Sequence, residues 1–243
     1  METLYQQDLA FIQAAGFGEF AHGAAPEIVR RLRAARSPVG KVVEVGCGAG
    51  PLTVTLVDAG FAVTGIEVSA ELLIIARSAS PTAEFIEGSI YDQEIPRCQA
   101  ILAIGEPLTY HEGADADARV HEFFRRASRV LPQSGILIFD VIEVGEPPLA
   151  GRFWKAGEEW AVLVETLEDP SSRTLVRDIE TFRKIGESYR RGHERHRVRL
   201  FSTPEVCQWL DEAGFSVSTA QGYGEFRLPL RRRAFFCTKR NTI

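Results

Sequence analysis

The chain has 243 residues, 45% of them hydrophobic and 25% charged, with 28 Lys and Arg against 33 Asp and Glu for a formal net charge of −5. These are ordinary globular values, which exclude a disordered, collagenous or disulfide-stapled chain and allow one large α/β domain or a domain with an insertion. The acidic balance argues against nucleic acid or an anionic membrane as partner, and no apolar run approaches the roughly 18 residues of a membrane span.

The N-terminus, METLYQQDLAFIQ, is acidic and polar rather than basic then apolar, so it does not read as a secretory signal. Residues 3–15 and 25–35 read as two helices, the second opened by Pro26. KVVEVG (41–46) is a buried strand, Pro51 opens a helix closed by Gly60, and FAVTGIEV (61–68) is the second strand. Ser69 caps a helix carrying Leu72, Leu73, Ile75 and Ala76 on one face. AEFIEG (83–88) and AILAIG (100–105) are strands, 115–131 is a helix, and ILIFDVI (136–142) is the fifth strand. This alternation predicts a doubly wound parallel sheet.

Beyond residue 143 the pattern becomes three long strands, within 159–167, 173–184 and 189–201, as an antiparallel meander. Residues 202–213 return to helix, with Ser202 and Glu205 in capping-box spacing, and 215–220 and 234–240 finish as strands. The predicted organisation is an N-terminal helical cap (1–40), a core (41–144 and 201–243) and a β-meander insertion (145–200). Cys47, Cys98, Cys207 and Cys237 are far apart, with no CxxC and no interleaved histidines, which predicts no metal and reduced thiols in a cytoplasmic protein.

Glu44-Val45-Gly46-Cys47-Gly48-Ala49-Gly50 joins the first strand to its helix, where glycines let the backbone approach a ligand closely. A dinucleotide GxGxxG counted from Gly46 would need glycine at Pro51, and the Walker pattern is absent, so pyrophosphate and nucleoside-triphosphate readings lose support. Glu67 ends the second strand, 21 residues past Gly46, where a carboxylate suits the hydroxyls of a ribose. E-x-G-x-G-x-G with this acid resembles the class I S-adenosylmethionine-dependent methyltransferases of small-molecule type. RVLPQSGILIFDV and the strand AFFCTK resemble later parts of the same family, over about 41–142 and 202–240.

The resemblance implies a Rossmann-like, mostly parallel seven-stranded sheet with an antiparallel last strand, S-adenosylmethionine as cofactor and S-adenosylhomocysteine as product. By position it implies that Gly46, Cys47, Gly48 and Gly50 lie against the methionine part and ribose, above Glu44, that Glu67 holds the ribose and that Val68 packs on the adenine. Ser89 and Ile90 fall at the adenine edge, with Asp92 an alternative partner, while the backbone of Ile104 and Gly105, with Glu106 beside it, faces the amino group. Glu44, Glu67 and Glu106 suit a ligand that is cationic and carries no phosphate.

EPLTY (106–110) lacks the D/N-PP-Y of amide and nucleobase methyltransferases, and resembles instead a GE-x-L-x-Y stretch of small-molecule enzymes. With the cofactor so placed, Tyr110 and His111 would face the acceptor, whose site the insertion 145–200 would cover. In the meander, Glu194, His196, Val198 and Leu200 share the inward face, which makes His196 the candidate base and Glu194 its neighbour. Trp154 and Trp160 either line the acceptor pocket or anchor the insertion. The nine Lys and Arg of 173–199, like Arg231–Arg233, read as a solvated surface, with contact to an anionic acceptor as the alternative. The resulting expectation is methyl transfer to nitrogen or oxygen of a small molecule, in a chain for which a homodimer stays open. The alternatives are a non-catalytic S-adenosylmethionine- or nucleoside-binding protein and an NAD-dependent oxidoreductase.

Overall fold

The computed structural model describes residues 4–110 and 115–241. Helix α1 (Gln7–Gly16) starts later than the expected residue 3, which lies outside the described residues. Its start is set by Tyr5, whose left-handed φ of 52° cannot belong to a helix. Helix α2 (Glu19–Arg33) carries Pro26 in its interior rather than at its first turn. An interior proline costs about 3 kcal/mol, and it is tolerated because Ala24, Ala25, Ile28 and Leu32 all bury against the central sheet.

The core then alternates β1 (Lys41–Val45), α3 (Pro51–Asp58), β2 (Ala62–Glu67), α4 (Ala70–Ala79), β3 (Glu84–Glu87) and β4 (Ala100–Ala103). A short 3-10 turn (Pro107–Thr109), α5 (Ala116–Val130) and β5 (Ile136–Ile142) follow. Four strands come next, β6 (Ala150–Ala156), β7 (Trp160–Asp169), β8 (Thr174–Ile185) and β9 (Ser188–Arg199), so the meander has one strand more than its sequence suggested. β6 is the missed strand, an edge exposed along nearly its whole length that shows no burial alternation to betray it. The chain closes with α6 (Thr203–Glu212), β10 (Phe215–Ala220), a two-residue hairpin of β11 (Gly222–Tyr223) and β12 (Phe226–Arg227), and β13 (Arg232–Lys239). The expected capping box on α6 does not form. Ser202 makes no side-chain cap, and Glu205 reaches Arg173 at 2.8 Å instead.

The seven-stranded sheet runs β10-β13-β5-β4-β1-β2-β3, parallel except for β13, which is antiparallel to both neighbours. Consecutive strands step outward in opposite directions from β1 and β4, so the cleft of a doubly wound sheet opens where those two strands end. One face of the sheet buries Phe123, Phe124, Val206 and Leu210 of α5 and α6, and the other buries α2 and α3. The meander lies above the strand ends. α1 is wedged under it, with Leu9 and Ile12 packed on Trp160, Val162 and Ile179. No helix among the described residues is long and apolar enough to cross a membrane.

Phe139 of β5 stacks on its cross-strand partner Phe235 with centroids 4.8 Å apart, and touches Phe124 of α5 at 5.3 Å. All three rings are fully buried. Phe139→Ala should therefore cost about 3–5 kcal/mol and lower Tm by roughly 6–20 °C in a thermal melt. A shift of a degree or less would contradict this packing.

Candidate functional site

A cavity of about 760 Å³ lies over the C-terminal ends of β1, β2 and β4, roofed by α1 and closed on the far side by the inner face of the meander. The glycine loop forms its floor. Gly46, Gly48 and Gly50 all take positive φ, at 67°, 56° and 82°. A Cβ on Gly46 would stand 2.3 Å from Pro107, whereas one on Gly48 would project into open space. Gly46 thus permits the loop to pack against the turn after β4, and Gly48 leaves room for a ligand.

Glu67 binds this floor to the next strand. Its Oε2 accepts from the Gly48 N–H, and its Oε1 accepts from Val68 and Ser69 N–H, all at 2.9 Å. Burial raises its pKa, and the three N–H groups oppose that shift. Glu44 is buried one level lower and accepts from the Thr53 hydroxyl, a side chain rather than the loop's N–H groups. Burial, with the neighbouring Glu67 charge adding to it and Thr53 opposing, pushes its carboxyl up to about 8. Cys47, Val68, Ser89 and Ile90 complete this wall. Asp92 is exposed, lies 3.3 Å from Arg119 and does not border the cavity.

The turn after β4 contributes Ile104, Gly105 and Glu106. Gly105 and Glu106 are both left-handed, and Asp140 of β5 accepts the N–H of each, at 2.8 and 2.9 Å. Tyr223, from the short hairpin, donates its hydroxyl to the same Asp140 at 2.8 Å. Glu106 is buried between two guanidinium groups. Arg177 donates to one oxygen, and Arg232 Nη2 is 2.7 Å from the other. Burial alone would raise the Glu106 pKa, but Arg177 and Arg232 together hold it below the usual carboxylate range.

The expected set of three negative charges therefore does not stand. At neutral pH Glu44 is largely protonated and Glu106 is neutralised by cations. Arg177 and Arg232, read from sequence as solvated, are largely withdrawn from solvent at the site. Strand alternation carried the signal for Arg177, which shares the inward face of β8 with Leu175 and Ile179. For Asp140 the signal was a lone acid inside the apolar run ILIFDVI.

At the meander side, His196 borders the cavity and Glu194 stands behind it. The Glu194 carboxylate accepts from Tyr5 N–H at 2.8 Å, from Gln6 N–H at 2.9 Å and from His196 Nε2 at 2.9 Å. A carboxylate only accepts, so Nε2 is the donor to Glu194, and Nδ1 has no protein partner among the described residues. Tyr110 also borders the cavity, its hydroxyl 2.8 Å from that of Tyr5 and 3.3 Å from Arg177. Both phenols are held protonated by burial. Trp154 departs from its expected place, being 72% exposed and away from the cavity because it alternates outward on β6; its neighbour Phe153 points in. Trp160 does anchor the insertion, against Gly16 and Phe17 of the roof. His111 lies outside the described residues. Tyr5 had no sequence signal at all, since only the fold of α1 brings it here.

Among the described residues no group of three or more His, Cys, Asp or Glu is placed to hold a metal. Residues 42–135 match the family model described as a methyltransferase domain. YqeM of Bacillus subtilis, a provisionally named methyltransferase, is 26% identical over 207 residues, covering 81% of this chain and 82% of its own. A dTDP-3-amino-3,6-dideoxy-alpha-D-glucopyranose N,N-dimethyltransferase of Streptomyces fradiae is 27% identical, covering 85% and 82%. Among solved structures, CalS10 of Micromonospora echinaspora, an amino pentose methyltransferase with S-adenosylmethionine bound, superposes with TM-score 0.76 at 20% identity, covering 98% and 99%.

The raised pKa of Glu44 has a stability consequence. The folded chain keeps this carboxyl protonated up to about pH 8, whereas in the unfolded chain it ionises from about pH 4.5. Folding is therefore progressively penalised as pH rises between these values. Glu44→Gln keeps the acceptor for Thr53 and removes the penalty, so its Tm should gain on the wild type from pH 5 to pH 8, by several degrees at the upper end. An equal offset at both pH values would contradict the assignment.

Proposed function

With a class I S-adenosylmethionine-dependent methyltransferase as the premise, we propose that this chain transfers the methyl group to a nitrogen of a small-molecule acceptor held between the glycine loop and the meander. One observation carries the reading: a single cavity is walled at one end by the glycine loop and Glu67 and at the other by a histidine whose free nitrogen is Nδ1. The named substrate of the Streptomyces fradiae relative is an amine, which favours nitrogen over oxygen.

The floor fits the cofactor. Gly48 leaves the space a Cβ would fill, and Glu67 has acceptor capacity beyond its three N–H bonds for ribose hydroxyls. Among the described residues no arginine or lysine side chain lines the glycine-loop end, so that end suits a ligand without phosphate. Gly46, Cys47 and Gly50 would shape the loop, Val68, Ser89 and Ile90 would border the base, and Ile104, Gly105 and Glu106 would flank the amino-acid end. Bound there, S-adenosylmethionine would supply an electrophilic methyl on a sulfonium sulfur, with a thioether as the leaving group once the methyl is on nitrogen.

The protein's task is alignment and proton removal. Holding the two reactants in register can supply about 7–11 kcal/mol of the barrier. His196 Nδ1 takes the proton that the acceptor nitrogen loses, and Glu194 steadies the imidazolium that results. Tyr5 and Tyr110, protonated at working pH, offer hydroxyls rather than charge to the acceptor. Roofing by α1 keeps water from the reacting atoms.

S-adenosylhomocysteine should bind with a Kd in the micromolar range, and Glu67→Ala should weaken it by about tenfold or more, roughly 1.4 kcal/mol. Calorimetry showing no heat, or an unaffected variant, would contradict the cofactor site. His196→Ala should lower kcat by about 10²–10⁴ while leaving that Kd unchanged. A variant with normal turnover would remove His196 from the chemistry, and a wild-type protein releasing no S-adenosylhomocysteine across a wide amine panel would favour a non-catalytic binding protein.

A further inference from the structure

The inner face of the meander is sorted into rows by its strand register. Thr166 of β7, Arg177 of β8 and His196 of β9 stand opposite one another in one row. The next inward row, two residues along each strand and so about 7 Å away, is Phe153 of β6, Val164 of β7 and Ile179 of β8. That row ends at Glu194, which is turned to the start of α1. All but Glu194 border the cavity; α1 adds Leu9 and Ala14 with one polar side chain, Gln13, and Phe17 follows just after the helix. The acceptor end of the cavity thus has a polar edge, where Tyr5 and Tyr110 join Arg177 and His196, and a hydrocarbon wall.

We propose that the acceptor is an amphiphilic amine, with one nucleophilic nitrogen at His196 and an aliphatic or aromatic body lying on Phe153, Val164 and Ile179, and that free amino sugars are poor substrates. This rests on the methyltransferase reading and narrows its substrate class. A hexosamine carries hydroxyls on every side. With its nitrogen at His196, several would be pressed on the row of Phe153, Val164 and Ile179, which offers no donor or acceptor, and an unpaired buried hydroxyl is disfavoured. An apolar body gains in proportion to the area it hides. Phe153 is half exposed at the edge strand, so the hydrocarbon wall continues to the mouth of the cavity and accommodates a body longer than a single ring.

The test is calorimetry on the full chain saturated with S-adenosylhomocysteine, titrated with hexylamine and 2-phenylethylamine against glucosamine and galactosamine. At least one apolar amine should bind tenfold or more tightly than either hexosamine and should be methylated when S-adenosylmethionine replaces the product. Val164→Thr, which preserves shape and strand preference, should weaken the apolar amines about fivefold or more without changing the S-adenosylhomocysteine Kd. Hexosamines binding as well as or better than the apolar amines, no binding by either apolar amine, or indifference to Val164→Thr would each overturn the proposal. Absence of heat from S-adenosylhomocysteine itself would instead overturn the cofactor reading on which it rests.

Discussion

Glu194 joins three parts of the molecule that are distant in sequence. One carboxylate accepts the main-chain N–H of Tyr5 and Gln6, which starts α1, and the Nε2–H of His196, which faces the cavity. The roof, the meander and the candidate base are therefore positioned by the same group. Ser69 reinforces the arrangement from the core side, donating its hydroxyl to the Tyr5 carbonyl at 2.8 Å while capping α4. Further out, Asp8 pairs with Arg190 at 2.6 Å and Lys155 donates to the Gly16 carbonyl at 2.6 Å, so both ends of α1 are tied to the meander. These outer contacts are more exposed and contribute little each. The buried carboxylate is the one whose loss would free both the roof and the histidine.

A second buried group, Asp140, does the corresponding work at the core. It holds two successive left-handed residues, Gly105 and Glu106, and so aims Glu106 at Arg177 of the meander and Arg232 of β13. Burying charges is costly, and such a pair adds less to stability than its Coulomb energy suggests, while removing one partner alone is strongly destabilising. The physical value of the Glu106–Arg177 contact is specificity of placement. It locks the insertion over the strand ends in one orientation, with the His196 row at the cavity rather than displaced from it.

The local patterns were legible in the sequence, and the long-range ones were not. The strand-loop-helix around Gly46–Gly50 and the acid at Glu67 are contiguous signals, because turn chemistry and strand ends are set by neighbours in the chain. Alternation along 193–200 placed Glu194 and His196 inward, and the same reading applied to 173–181 would have placed Arg177 there too. Counting the arginines as a charge run obscured it. Most of that run is in fact paired, as with Arg173 and Glu205, Arg191 and Glu180, Arg195 and Asp178, or Arg199 and Asp117. Those partners come from several different elements, and no sequence period encodes them. β6 and the β11–β12 hairpin escaped for a related reason. An exposed edge and a pair of two-residue strands exist only by virtue of what they pair with. Trp154 shows the limit of reading an aromatic as a pocket wall, since a one-residue shift in alternation assigns that place to Phe153.

Cofactor and acceptor are proposed to meet in line within one cavity, between Glu67 and His196. A crystal structure with S-adenosylhomocysteine bound tests it most directly. Ribose hydroxyls are expected on Glu67, with the thioether sulfur opening toward the space in front of His196 Nδ1, under α1. A ligand bound elsewhere, or one whose sulfur faces away from the meander, would contradict it.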